Sequence, residues 1–228
     1  SDATLSVDGQ DIDVRSLLDS GEAKSADGTV SARVLTSERT WVHGKIIDSS
    51  TGNPTAARVH FRSPDGRYFP PYGHTHEVND NWFEDYGADL LLGDTPYASI
   101  DGTFQGELPV GDVYVEVSKG FEFEPIRQKI NIKPGQRELE ITLDRNSNLR
   151  KSGWVTADTH THFLPPETAH LEAAAEDINI INLLAAQWGD LYTNVGDITG
   201  EVSGSSSEET IVWVGSENRS EEHTSELQ

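Results

Sequence analysis

The residues best suited to chemistry stand between Gly153 and Phe163, in the run GWVTADTHTHF. Read as a strand, Trp154-Val-Thr-Ala157 is a short buried lead-in to Asp158-Thr-His160-Thr-His162. Strand side chains alternate between faces, so Asp158, His160 and His162 share one side, and both imidazoles reach a common point. Neutral imidazole nitrogen binds zinc and similar ions at about 2.0–2.1 Å, and a strand presents two such ligands without a loop having to order itself. The same letters also describe two surface histidines between threonines. What separates the readings is whether other elements bring further ligands to the same place.

The elements that follow do so. Pro165-Pro166 leads into residues 167–177, which read as a helix: an early acid, prolines before it and an alanine-rich body. Residues 178–186, INIINLLAA, form the near-continuous apolar run of a buried parallel strand. About 25 residues separate the two strands, which suits one strand–helix unit. Residues 189–210 are a polar, Gly/Ser-rich connection, in which Gly204-Ser-Ser-Ser207 reads as a flexible loop rather than a nucleophile. Ile211-Val-Trp-Val-Gly215 is then a third buried strand, ending in Ser216-Glu217-Asn218, where a parallel barrel delivers active-site residues. A Gly-x-Ser-x-Gly elbow, a phosphate loop and a dinucleotide fingerprint are all missing from the sequence, which argues against nucleophilic-serine and nucleotide chemistry.

Upstream the pattern is β. Residues 1–29 are polar and fit no class. Residues 30–149 carry short alternating or β-rich runs at 30–35, 40–47, 57–61, 103–108, 113–117, 126–132 and 139–143, separated by Gly, Pro, Asn and Asp turns. That spacing predicts an antiparallel β-sandwich. Residues 62–96 interrupt it as a long insertion holding Tyr68, Phe69, Pro70, Pro71, Tyr72, Trp82, Phe83 and Tyr86, and a second His-x-His, His74-Thr-His76. Long loops in compact domains tend to be functional, so His74 and His76 are candidates for a lid over the neighbouring site. A loop folded against its own sandwich is the alternative. His43 and His60 fall in strand patterns and read as structural. The switch of pattern at 150–153 marks a domain boundary.

Composition bounds the partners. The chain has 228 residues, 35% hydrophobic, with a formal charge of −22 and no apolar run near the ~18 residues of a membrane span. Such a surface repels nucleic acid and anionic lipid, which leaves a small-molecule substrate as the expected partner and the oligomeric state open. No cysteine is present, so disulfides and thiolate chemistry are excluded and the compartment is left undetermined. No methionine is present either, which suggests an internal or processed N-terminus. Residues 219–228, RSEEHTSELQ, agree at all ten positions with the translation of a common sequencing adapter. They are expected to be foreign and to make no packed contact, with Arg219 compatible with either origin.

Two resemblances join these pieces. Val42-His-Gly-Lys-Ile-Ile-Asp48, Thr51-Gly-Asn-Pro54, Asp101-Gly-Thr-Phe104 and Leu108-Pro-Val-Gly111 resemble a carboxypeptidase-regulatory-like sandwich. That family implies a non-catalytic appendage, often on secreted or periplasmic proteins. The strand ending in His160-x-His162 and the later strand ending in Gly215-Ser-Glu217 resemble the PHP (polymerase and histidinol phosphatase) metallohydrolase superfamily. With Gly153-Trp154, the Glu172-Ala-Ala-Ala-Glu176 helix and Val214-Gly-Ser-Glu-Asn-Arg219, the whole resembles its CehA/McbA (carbaryl-hydrolase-type) branch. The resemblance implies a sandwich followed, over 150–218, by the first βα units of a truncated (β/α)7 barrel. It implies His160, His162 and Glu217 as ligands of divalent metal (zinc, manganese or iron; two or three ions in the full-length protein). It implies Asp158 as a partner orienting an imidazole, and hydrolysis of an ester, carbamate or phosphoester by metal-activated water. The family's second-strand Asp-His is replaced by Gln187-Trp188, its later ligands have no counterpart, and no general acid or base is assignable, so the fragment itself is expected to be inactive. The competing reading is a non-catalytic sandwich that binds carbohydrate or a protein partner.

Overall fold

The computed structural model describes residues 3–34, 38–78, 88–188 and 191–217, apart from the side chains of Gln187, Trp188 and Leu191. Trp82, Phe83, Tyr86 and the stretch 219–228 lie outside the described residues, and with them the expectations placed there. The fold is β-rich and built from several sheets. The chain divides into two compact units, Ser1–Glu38 and Arg39–Gln228.

In the first unit, β1 (Thr4–Val7) and β2 (Gln10–Asp13) form a hairpin. Its turn is Asp8-Gly9, both at positive φ, the geometry a two-residue hairpin favours. Asp13 caps α1 (Val14–Ser20) by accepting from the backbone N–H groups of Arg15 and Ser16, and Gly21 in the left-handed region ends it. β3 (Glu22–Lys24) then pairs with β4 (Ser31–Arg33). The sequence reading gave Ser31–Arg33 to the sandwich. The Ser25–Gly28 turn overrides that by folding this strand back onto β3, with the Ser25 hydroxyl and the Thr29 N–H both donating to the Asp27 carboxylate.

The second unit opens with β5 (Arg39–Asp48), β6 (Ala57–Arg62), β7 (Asp89–Leu92), β8 (Thr95–Ile100), β9 (Thr103–Pro109), β10 (Gly111–Ser118), β11 (Ile126–Ile132) and β12 (Glu138–Leu143). A five-stranded antiparallel sheet runs β11-β10-β6-β8-β7, and a three-stranded sheet runs β12-β5-β9. Period-two burial turns one face of each inward: Val42, Gly44 and Ile46 on β5, Phe104, Gly106 and Leu108 on β9, Val113, Val115 and Val117 on β10. The apolar side chains among them and Phe61 form one hydrophobic cluster between the sheets. Gly44 lies directly across from Phe104, and a Cβ there would fall 2.0 Å from the phenyl ring. The glycine is the space the ring occupies. β7 and the start of β8 fall inside the expected insertion, which is therefore shorter than 62–96.

After β12 the architecture changes. A 3-10 turn (Leu149–Ser152) ends at Gly153 in the left-handed region. β13 (Ala157–Thr161), α2 (Pro166–Ala175), β14 (Ile180–Trp188), β15 (Leu191–Thr193) and β16 (Ile211–Ser216) follow. β14 is central, with β13 and β16 parallel to it on either side and β15 folded back antiparallel on its far end. Trp154 and Val155, expected to be a buried strand, are 69% and 57% exposed. The ladder starts later because the chain is anchored at Thr156, whose N–H donates to Asn179 Oδ1 and whose hydroxyl donates to the Asp177 carbonyl. Among the described residues these parallel strands form an open sheet and no closed barrel.

Helix α2 covers this sheet, its Ala169 and Ala173 packing with Ile181, Leu183, Val212 and Val214. It also contacts β6 and β8 of the sandwich. Glu167 is exposed, Ala169, Ala173 and Ala175 are buried and the other residues are half-buried, so no face of the helix is fully wet and it needs no polar stripe. Lys119 donates from Nζ to the Ala174 carbonyl at its C-terminal end, and Arg58 pairs with Glu176. A cation is the charge that the last helical turn prefers.

Candidate metal centre

His160 and His162 stand at the carboxyl end of β13, and Glu217 directly follows β16. Glu217 is held beside the central strand, its backbone N–H donating to the Ala185 carbonyl at 3.4 Å. The three residues thus converge from two strands at one end of a parallel sheet, where open α/β sheets place their ligands. One ligand atom from each lies within 4.8 Å of the others. His162 Nε2 is 3.1 Å from Glu217 Oε2, and His160 Nε2 is 3.7 Å from Glu217 Oε1. The two imidazole rings meet edge-on, with centroids 4.9 Å apart.

The tautomer of His162 follows from its other nitrogen. Nδ1 lies 3.1 Å from the Leu184 carbonyl oxygen, which can only accept, so Nδ1 carries the proton. In the neutral ring Nε2 then holds a lone pair. That atom is buried and has no hydrogen-bond partner, although Glu217 Oε2 is close to it. A lone pair faces a carboxylate, and two acceptors at such a distance repel unless a positive charge stands between them. A proton on the ring or a metal ion supplies that charge. Two imidazoles and one carboxylate are a donor set for zinc, and also for iron or manganese, with coordination positions left open for water. Ligand atoms sharing an ion at about 2.1 Å can be at most about 4.2 Å apart, so the triad needs only a small contraction to close on one.

Asp158 does not orient an imidazole. Its carboxylate accepts the backbone N–H of His160 at 3.0 Å, where the pairing of β13 with β14 becomes irregular. It shapes the strand so that two histidines two residues apart can turn toward one point. The orienting role falls to the Leu184 carbonyl, a backbone atom that no side-chain pattern reveals. Phe163, immediately after the pair, adopts φ +65°, a conformation costly for a bulky residue and one that collects at functional sites. Gln187 and Trp188 extend β14 past the site, but their side chains lie outside the described part.

His74 and His76 lie in the loop before β7. His74 Nδ1 is 2.9 Å from Asp89 Oδ1 on β7, and that carboxylate, 1% exposed, also accepts the Thr75 N–H. The cavities that His74 lines are bounded by sandwich residues and by Leu171 of α2, and none includes His160, His162 or Glu217. His60 is buried, bonded through Nδ1 to the Pro96 carbonyl and stacked on Tyr68, while His43 is exposed.

No protein-family model matches the chain, and no curated protein matches it. Among solved structures, the chain is similar to the group B streptococcus pilus 2b backbone protein at 14% identity, with a TM-score of 0.34, over 66% of this chain and 55% of that one. It is also similar to the phospholipase PlaB from Legionella pneumophila at 13% identity, with a TM-score of 0.29, over 58% of this chain and 30% of that one.

Proposed function

We propose that residues 150–217 are the metal-binding opening of a PHP-type hydrolase, borne on a carboxypeptidase-regulatory-like sandwich. The observation that supports this reading is the buried His162 Nε2, without a hydrogen bond and 3.1 Å from the Glu217 carboxylate, with His160 beside it. In this reading His160 and His162 donate imidazole lone pairs and Glu217 contributes the anionic oxygen. The Leu184 carbonyl fixes the His162 ring, and Asp158 fixes the strand. A divalent ion held there would lower the pKa of a bound water toward ~7 and polarise a scissile ester, carbamate or phosphoester bond. Both histidines serve as ligands, so proton transfer has to come from water or from the substrate.

The test is metal binding. The purified chain, stripped with chelator, loaded with zinc or manganese and desalted, should retain metal when assayed by elemental analysis. His160→Ala and His162→Ala should each weaken retention at least about tenfold, the lower end of what disturbing a metal's surroundings costs. Equal retention in wild type and both variants would end the proposal.

A further inference from the structure

We propose that the sandwich carries a separate carbohydrate-binding groove, built around Tyr72 and Trp41. Tyr72 is 78% exposed and Trp41 41% exposed, and their rings meet at 5.8 Å between centroids and 64° between planes. They line a cavity of about 310 Å³, and Tyr72, Pro71 and His74 also line a neighbouring one of about 520 Å³. Tyr72 is thus a wall shared by two cavities along one sheet surface.

The ring is exposed but its mount is rigid. The Tyr72 N–H donates to the Gln105 carbonyl of β9 at 2.6 Å, and the His74 N–H donates to the Pro71 carbonyl at 3.1 Å. The polar groups beside it are paired. Arg39 Nη1 bonds Glu107 Oε2 at 3.1 Å while its guanidinium lies over Phe69. His74 is held by the buried Asp89 carboxylate. Preorganised groups of this kind lose little freedom when a ligand arrives.

The chemistry of the groove selects a sugar. A pyranose presents an apolar C–H face and a rim of hydroxyls that both donate and accept. Exposed Tyr and Trp offer apolar faces with polar tips, and the Arg39–Glu107 pair and His74 offer both kinds of hydrogen-bonding partner for the rim. A few fixed polar groups around an apolar surface is the usual make-up of a small-ligand site. The charge of −22 disfavours polyanions such as acidic glycans and nucleic acid, which points to neutral saccharides. Rings inclined at 64° do not form the flat platform that a crystalline polymer face would require. They grip a single soluble chain, one ring under a sugar and the other against its edge.

Native affinity electrophoresis of the whole chain tests this, with gels containing hydroxyethylcellulose, xyloglucan, galactomannan or soluble starch, and alginate as the polyanion. At least one neutral polysaccharide should retard the chain. Tyr72→Ala should lower that affinity at least about tenfold, while Tyr72→Phe, which keeps the ring, and His162→Ala, in the other site, should not. Absence of retardation in all four neutral gels would overturn the proposal, as would retardation unchanged in Tyr72→Ala. Stronger retardation by alginate, or self-association of the wild type that Tyr72→Ala abolishes, would do the same, the latter assigning the groove to a second copy of the chain.

Discussion

At the scale of single residues, the opposition between His162 Nε2 and Glu217 has a consequence that separates binding from folding. Glu217→Gln replaces an acceptor with an amide that can donate to the Nε2 lone pair. This variant should lose metal retention while its melting temperature stays level or rises, as read by elemental analysis and thermal melts in chelator. A fall in both would mean that Glu217 serves the fold instead. Gly44 makes the opposite case. Its Cβ position is already filled by the Phe104 ring, so Gly44→Ala should destabilise by about 1–3 kcal/mol or more without touching the metal. Denaturant titration would show it as a lowered midpoint with an unchanged slope. His160, His162 and Glu217 were legible in the sequence because two-residue spacing and a strand-end carboxylate follow from the geometry of strands. The Leu184 carbonyl was not legible, since any residue has one, nor was Asp89, which meets His74 only after β7 has formed.

Among the elements, the missed ones share a cause. β7 and β8 were hidden because Pro96 interrupts the β pattern. Leu92 pairs with Thr95 across the Gly93-Asp94 turn, and Pro96 comes one pair later, beyond the Ala98–Ile100 stretch where β8 meets β6. In an antiparallel ladder that next pair does not exchange hydrogen bonds, so the missing N–H costs nothing there. α2 was readable from its alanines and prolines, but its double-sided burial was not, because it depends on the sandwich. That burial brings charge indoors. Burial pushes the carboxyls of Glu176 and Asp177 above their ordinary values, Arg58 and Lys119 opposing it for the first and Lys119 and Arg145 for the second. The native state therefore keeps protons that the unfolded chain has released, and these two groups lower stability as pH rises out of the ordinary carboxylate range. Burial also holds the Lys119 ammonium below its usual value, which makes stability rise again toward alkaline pH. Lys119→Met removes the cation that holds Asp177 down. The acid-side decline in melting temperature should then extend to higher pH, and the alkaline rise should shrink. Melts at closely spaced pH values would check both.

For the whole molecule, the sequence reading anticipated β followed by strand–helix–strand, and the sheets do change between Leu143 and Ala157. What it could not foresee is that both parts belong to one compact unit, because the joining contacts are tertiary: Lys119 on the end of α2, Arg145 with Asp177 at 3.5 Å, and Gly120, where a Cβ would fall 2.5 Å from the Glu176 carbonyl oxygen. Both hydrophobic clusters lie after residue 38. A chain beginning at Arg39 is therefore expected to melt in one cooperative transition, and two separate transitions in calorimetry would contradict this. The largely covered α2 also bears on how such a chain could diversify. A helix with one wet side tolerates drift over about half its surface, whereas in α2 Glu167 alone is fully exposed and the rest is half-buried or buried. A saturation mutagenesis library selected for folding should then accept few changes from Thr168 to Ala175 and many between Val195 and Glu209. New specificities would arise by rewriting the loop before β16 while the helix stays nearly frozen.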